Sequence, residues 1–379
     1  MNRKSLKAAR LLVLPTVVML GALSACATNE TPPPVAPPTS ASQAPTQTVD
    51  TPPALSGTLN AGGASSMTAA QEAWRADFQN ANSGVTINYD PTGSGTGRTN
   101  FSEGGYVFAG TDAAFSVEDA SGDFAGCVAG TSLVEIPAYI SPIAVAFNLG
   151  EIKALNLDAA TISELFAGVI TNWNDPKIAA QNPDVTLPDQ KVTPVHRADK
   201  SGTTQNFTDY LSKVAPAAWP YEVEETWPEA LKGEAVEKTQ GVREAVSSTL
   251  GAVGYLDASQ AKELGQVAIK VGDDYVAYSP QAAALAVEKS PAATGRAATD
   301  IVINLDRTLA EPGAYPMVLI SYLAACSQYS NSADGALVNA YLSYVVSPEG
   351  QNAAAANAGS APLSGSLATQ VAQVVSAIK

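Results

Sequence analysis

The sequence predicts an α/β protein built from two domains. Three observations carry that expectation. Short apolar runs alternate with amphipathic segments along the chain, the pattern that strands and their covering helices leave. The part with such periodicity, residues 55–379, is longer than one hydrophobic core usually serves. Two of the three cysteines, Cys127 and Cys326, stand far apart in a chain that opens like an exported one, where an even pair is a disulfide candidate. If they are bonded, the late segment belongs with the early one and the middle is an inserted second domain. The division is then 55–147 with 310–379 as domain 1 and 148–309 as domain 2.

The N-terminus reads as an address. Arg3, Lys4, Lys7 and Arg10 precede an apolar run from Leu11 to Leu23, at about 13 residues too short to span a bilayer comfortably. Residues 1–25 are therefore expected to be a signal peptide. It ends in Leu23, Ser24, Ala25 and Cys26, which resembles the lipobox of bacterial lipoproteins and implies lipidation at Cys26. Residues 26–54 are rich in Pro, Thr and Ala without apolar periodicity, so they cannot bury enough surface to offset their ordering entropy and read as a tether.

The first folded stretch, LSGTLNAGG, is strand-like, and Met67, Ala70, Trp74 and Phe78 predict a helix from Ser66 to about Asn80. Strand-like VTINYD, the glycine-rich TGSGTGR and YVFAGTDAAF follow. Ile136 to Asn148, IPAYISPIAVAFN, reads as a long buried strand. The middle block offers TISELFAGVI as a helix, VTPVHR as a strand, SGTTQNFTDYLSKVA as a turn and helix, and GVREAVSSTLGAVGYL as helix then strand. The apolar MVLISYLAA returns late, and ALVNAYLSYVVS and PEGQNAAAANAG read as closing helices.

Acids outnumber bases 36 to 21, and the formal net charge is −15. A nucleic-acid partner needs a basic face and is not expected. One histidine and no CxxC or HExxH pattern leave a transition metal almost no ligands, and no cofactor is expected.

Three polar clusters share one grammar of strand, small-residue turn and helix: Gly63-Ala64-Ser65-Ser66, Gly93-Ser94-Gly95-Thr96 and Ser201-Gly202-Thr203-Thr204. Helix starts carry unpaired N–H groups and partial positive charge, so this grammar holds an anion without a basic surface. The same serines and threonines also serve as ordinary helix caps. The second cluster imitates a dinucleotide fingerprint, but its sixth position is Arg98 rather than glycine. No GxxxxGK[ST] and no GxSxG is present.

The stretch HRADKSGTT places His196, Asp199 and Ser201 within six residues, which has triad chemistry. Neighbouring strand positions face opposite ways, so His196 and Arg197 cannot both face one cleft. With Arg197 inward, Asp199 steadies its guanidinium while Ser201, Gly202 and Thr203 offer donors at a helix start.

GGASS, the GSG turn, FAGTDAAF, TISELFAGVITNWNDPKI, HRADKSGTTQNFTDYLSKVAP, GAVGYLD and SPEGQNAAAANAGSAPL together resemble the phosphate-binding proteins of bacterial phosphate ABC transporters. The resemblance implies a two-domain periplasmic-binding-protein fold of class II type closing over one dehydrated phosphate ion. It implies phosphate ligands at Ser65, Ser66, Ser94, Asp112, Arg197, Ser201, Gly202 and Thr203, with Asp199 behind Arg197 and no catalytic residue. Asp112 is the expected selectivity element, since phosphate keeps a proton to donate and sulfate does not. The first loop departs from the family's usual threonine and aromatic residue, reading Ser65-Ser66. The implied partners are phosphate, the permease subunits and the membrane through the Cys26 lipid. The implied state is a monomer on the outer face of the cytoplasmic membrane. A phosphoester-acting enzyme would need a base beside Ser201, and a sensor or surface lipoprotein would reuse the same fold.

Overall fold

In the computed structural model, which describes residues 54–379, the strands join into one 11-stranded sheet. They are β1 (Ser56–Gly63), β2 (Gly84–Asp90), β3 (Ala109–Thr111), β4 (Leu133–Phe147), β5 (Ala154–Leu157), β6 (Thr193–Arg197), β7 (Glu234–Val236), β8 (Ala252–Asp257), β9 (Gly265–Val271), β10 (Asp274–Val276) and β11 (Val318–Cys326). The helices are α1 (Thr68–Ala81), α2 (Ser94–Ser102), α3 (Val117–Ala120), α4 (Ala159–Phe166), α5 (Pro176–Gln181), α6 (Gly202–Val214), α7 (Lys238–Ser248), α8 (Pro280–Glu288), α9 (Ser332–Val346), α10 (Pro348–Ala358) and α11 (Gly365–Ser376). The α/β expectation is met.

Strand order runs β2-β1-β3-β11-β4-β8-β6-β7, with β9 beside β4 and carrying β5 and β10. All 15 residues of β4 are buried, which explains its unbroken apolar reading, since a strand covered on both faces has no polar side to alternate. Leu133–Pro142 pairs antiparallel with β11, and Ile143–Phe147 pairs with β8. One strand therefore carries the sheet from a first arm, built on β1, β2, β3 and β11, into a second arm that holds β5 to β10.

The main apolar core is continuous through both arms. A smaller cluster around Val195, Val242, Val246 and Leu256 seats α7 against β6 and β8. Two boundaries differ from the sequence expectation. A 3-10 turn, Ser65–Met67, precedes α1, so the first polar cluster is a tight turn rather than the start of the regular helix. The TISELFAGVI helix stops at Phe166, and Gly168 at φ 73° turns the chain away, as glycine does at helix ends.

Cys127 and Cys326 are bonded, with Cα atoms 5.3 Å apart across a sequence separation of 199. The expected signal peptide, Cys26 and the tether as far as residue 53 lie outside the described residues. No helix among those described is long and apolar enough to cross a membrane.

Candidate functional site

β3 delivers Asp112 to the centre of a buried polar cluster. Ser66 Oγ donates to Asp112 Oδ1 at 2.6 Å and Ser321 Oγ to the same oxygen at 2.7 Å, while Thr203 Oγ1 donates to Oδ2 at 2.9 Å. The Asp112 N–H donates to Ser94 Oγ at 3.1 Å. Burial pushes the Asp112 carboxyl up, and the hydroxyls of Ser321, Ser66 and Thr203 together with the Arg197 charge pull against it. A carboxylate offers about four acceptor positions. Three are filled by hydroxyls, so Oδ2 keeps one for a further donor.

The start of α6 closes over this carboxylate. Ser201 caps the helix, its Oγ accepting the Thr204 N–H at 3.2 Å. A Cβ at Gly202 would lie 2.8 Å from the Asp112 carbonyl carbon, so glycine is what lets the helix start sit against β3. Thr203 is the next residue, which is why its hydroxyl reaches Oδ2. Asn206, one turn on, donates through Nδ2 to the Asp112 carbonyl oxygen at 2.8 Å.

Arg197 ends β6 with 3% of its surface exposed. Its Nε donates to Asp199 Oδ1 at 2.7 Å and its Nη2 pairs with Asp199 Oδ2, a two-point grip that fixes the guanidinium plane. Burial would raise the Asp199 carboxyl, but the hydrogen bond and charge of Arg197 and the Lys238 N–H overcome it and hold it below the usual range. A Cβ at Gly93, where φ is 97°, would come within 2.6 Å of Asp199 Oδ2. The glycine-rich turn before α2 thus packs against the Arg197–Asp199 pair, a backbone and approach that only glycine fits.

His196 takes the other side of the strand, as alternation requires. Its ring stacks on Trp227, centroids 4.9 Å apart and planes 9° from parallel, and its Nδ1 donates to the Arg197 carbonyl at 3.1 Å. Burial lowers its pKa, only partly countered by that hydrogen bond. The hydrogen bonds of His196 and Ser201 therefore lead to different partners.

The sequence profile of the PBP superfamily domain matches residues 42–349. The phosphate-binding protein PstS 3 of Mycobacterium tuberculosis is 33% identical over 291 residues, covering 75% of this chain and 77% of that protein. This chain belongs to the PstS family. PstS 3 of Mycobacterium leprae is 32% identical over 331 residues, 85% of this chain and 87% of its own length. A high-affinity periplasmic phosphate-binding protein, PfluDING, solved with phosphate, shares the fold at TM-score 0.67 and 19% identity over 83% of this chain and 93% of that one. A phosphate-binding protein from Stenotrophomonas maltophilia does so at TM-score 0.62 and 21% identity, over 84% and 94%. The fold described above is thus shared with solved phosphate-binding proteins.

Of the residues expected as ligands, Ser66, Ser94, Asp112 and Thr203 are joined by direct hydrogen bonds, and Ser201 and Gly202 belong to the helix start that covers Asp112. Arg197 is close enough to act on the Asp112 carboxylate by charge. Ser65 turns to Thr239, whose N–H donates to Ser65 Oγ at 3.1 Å. Sequence reasoning missed Ser321, Thr239 and Arg307. Ser321 hides inside an apolar strand, and Thr239 sits in the first turn of α7 with no motif around it. Arg307 shares a cavity of about 330 Å³ with Asp112, but its guanidinium is already engaged by Asp209, Asn206 and the carbonyls of Pro316 and Val318.

Proposed function

We propose that this protein binds inorganic phosphate outside the cytoplasmic membrane and delivers it to the permease subunits of a phosphate ABC transporter. The observation that carries the reading is the Asp112 carboxylate, buried, held by three hydroxyls and left with one acceptor position on Oδ2. Phosphate near neutral pH retains at least one proton and can donate there, while Arg197, the α6 N–H groups and the Ser65 and Ser94 hydroxyls, whose protons Asp112 does not take, donate to its other oxygens. Sulfate has no such proton, and two acceptors facing each other in a dry site cost roughly 1–3 kcal/mol or more.

In this reading the ligands are Ser65, Ser66, Ser94, Asp112, Arg197, Ser201, Gly202 and Thr203, with Asp199 orienting Arg197. Residues 55–147 with 310–379 form one closing domain and 148–309 the other. Contacts between Asp112 and α6, and between Ser65 and Thr239, support it, because each joins one such domain to the other. Ligand contacts made by both domains stabilise the closed form, and closure lets a permease tell loaded from empty. A lipid at Cys26 and the tether keep a monomer near that permease at high local concentration.

Calorimetric titration of the purified protein tests the reading. Phosphate is expected to bind with a stoichiometry of one and sulfate to give no heat. Silence with phosphate would overturn it.

A further inference from the structure

Lys238 is the only non-glycine residue among those described with a left-handed backbone, at φ 66°, a conformation that L-residues avoid. It sits at the start of α7, and its effect is to aim two successive N–H groups at two different parts of the site. The Lys238 N–H donates to Asp199 Oδ1 at 3.1 Å, on the oxygen that also accepts from Arg197 Nε. The Thr239 N–H donates to Ser65 Oγ at 3.1 Å, across a sequence separation of 174, from the second arm to the first.

Thr239 is 1% exposed, and its Oγ1 lies 3.0 Å from Ser65 Oγ. That pair of hydroxyls has two orientations. If Ser65 donates to Thr239, its only proton is spent. If Thr239 donates, Ser65 Oγ receives two hydrogens, from the Thr239 N–H and O–H, and both its lone pairs are filled. Its own proton is then obliged to point at a third partner. An anion beside the Ser65-Ser66 turn selects the second orientation, because an acceptor needs that proton.

We infer that Thr239 is a positioning residue for the bound anion, which makes the Ser65 hydroxyl a committed donor and, through Lys238, ties the Arg197–Asp199 pair to the opposite arm. The inference rests on the phosphate site proposed above. Because the Ser65–Thr239 contact joins one arm to the other, its loss is expected to act on release more than on association.

The test is phosphate binding and release measured for the purified protein carrying Thr239→Val, Thr239→Ser, Ser65→Ala, and Thr239→Val with Ser65→Ala. Thr239→Val is expected to weaken phosphate binding roughly tenfold, the scale of one lost hydrogen bond in a buried site, with most of the change in the release rate. Thr239→Ser is expected to restore it to within about twofold. The double variant is expected to bind no more weakly than Ser65→Ala alone, since Thr239 acts through Ser65. Native-like binding by Thr239→Val, or losses that multiply in the double variant, would overturn the inference. So would a lowered ligand-free melting temperature in Thr239→Val that Thr239→Ser shares. Arg197→Ala serves as the parallel control: if phosphate binding survives it, the underlying site is wrong and this inference falls with it. If Arg197→Ala abolishes binding while Thr239→Val changes nothing, only the role of Thr239 fails.

Discussion

Arg98 Nη2 lies 2.5 Å from Glu225 Oε2, joining α2 of the first arm to the loop after α6 in the second. Arg98 Nη1 also donates to Thr111 Oγ1 and the Ala113 carbonyl, both at 2.8 Å, so it flanks Asp112 on either side. The backbone of Glu225 accepts the Ser201 N–H at 2.9 Å, which places the ion pair between the two halves of the candidate site. The residue that spoiled the dinucleotide fingerprint is thus a bridge between arms. Glu225→Gln is expected to speed phosphate release about three- to fivefold, the scale of a partly exposed ion pair. Stopped-flow release at low and high salt checks it, and the difference between the variants is expected to shrink as salt rises.

Asp112→Asn replaces an acceptor on Oδ2 with a group that can donate. Phosphate affinity is expected to fall at least tenfold, and the preference over sulfate to narrow by about 10- to 100-fold. Competition calorimetry measures both. An unchanged preference would mean that selectivity lies elsewhere.

Arg197→Lys keeps the charge but loses the fork that Asp199 grips at two points. Phosphate affinity is expected to drop about 10- to 100-fold, because a lysine ammonium is a point charge without planar pairing. The result discriminates a geometric role for Arg197 from a purely electrostatic one, which Lys would preserve.

Away from the site, Glu135 on β4 is fully buried and accepts the Phe115 N–H on both oxygens, at 3.1 and 3.2 Å. Burial, with the neighbouring Asp300 charge adding to it, pushes its carboxyl up to about 8, against the pull of the Phe115 N–H, Arg296 and Arg98. A carboxyl raised on folding contributes stability below its unfolded pKa and loses that contribution as pH rises toward the folded value. The Glu135 contribution is therefore expected to decline between about pH 4.5 and 8. In Glu135→Gln the melting temperature is expected to gain relative to the native protein as pH is raised through that window. Melting curves in a pH series check the slope.

The long strands β1, β2, β4, β8 and β11, the short β6 and the helices α1, α4, α6, α7, α9 and α10 were legible because their apolar patterns are clear or their boundaries carry turn residues, whereas the short β5, β7 and β10 and the hairpin strand β9 were not. IPAYISPIAVAFN could hardly be anything but a buried strand, and Ser201 before Gly202 is an ordinary helix start. Strand alternation set His196 and Arg197 against each other, and the family resemblance chose Arg197. Ser321 was not, because a serine inside LISYLAA looks like an interruption until β11 is laid beside β4 and its hydroxyl meets Asp112. Thr239 was hidden for a related reason: what matters about it is the backbone of Lys238, and nothing in the letters announces a left-handed lysine. Contacts between residues 46 to 209 positions apart hold Asp112, and such proximity is a property of the folded chain rather than of any window within it.

The bond between Cys127 and Cys326 encloses every residue of the second arm, since β5 to β10 all lie between the two cysteines. The second arm is in topological terms part of a covalent ring that the disulfide closes at its neck. A protease that cuts once anywhere from residue 128 to 325 leaves two fragments that still travel as one molecule. Such a nicked protein keeps its full mass on a non-reducing gel and separates into two bands only after the thiols are freed, so a single cut need not part the first arm from the second.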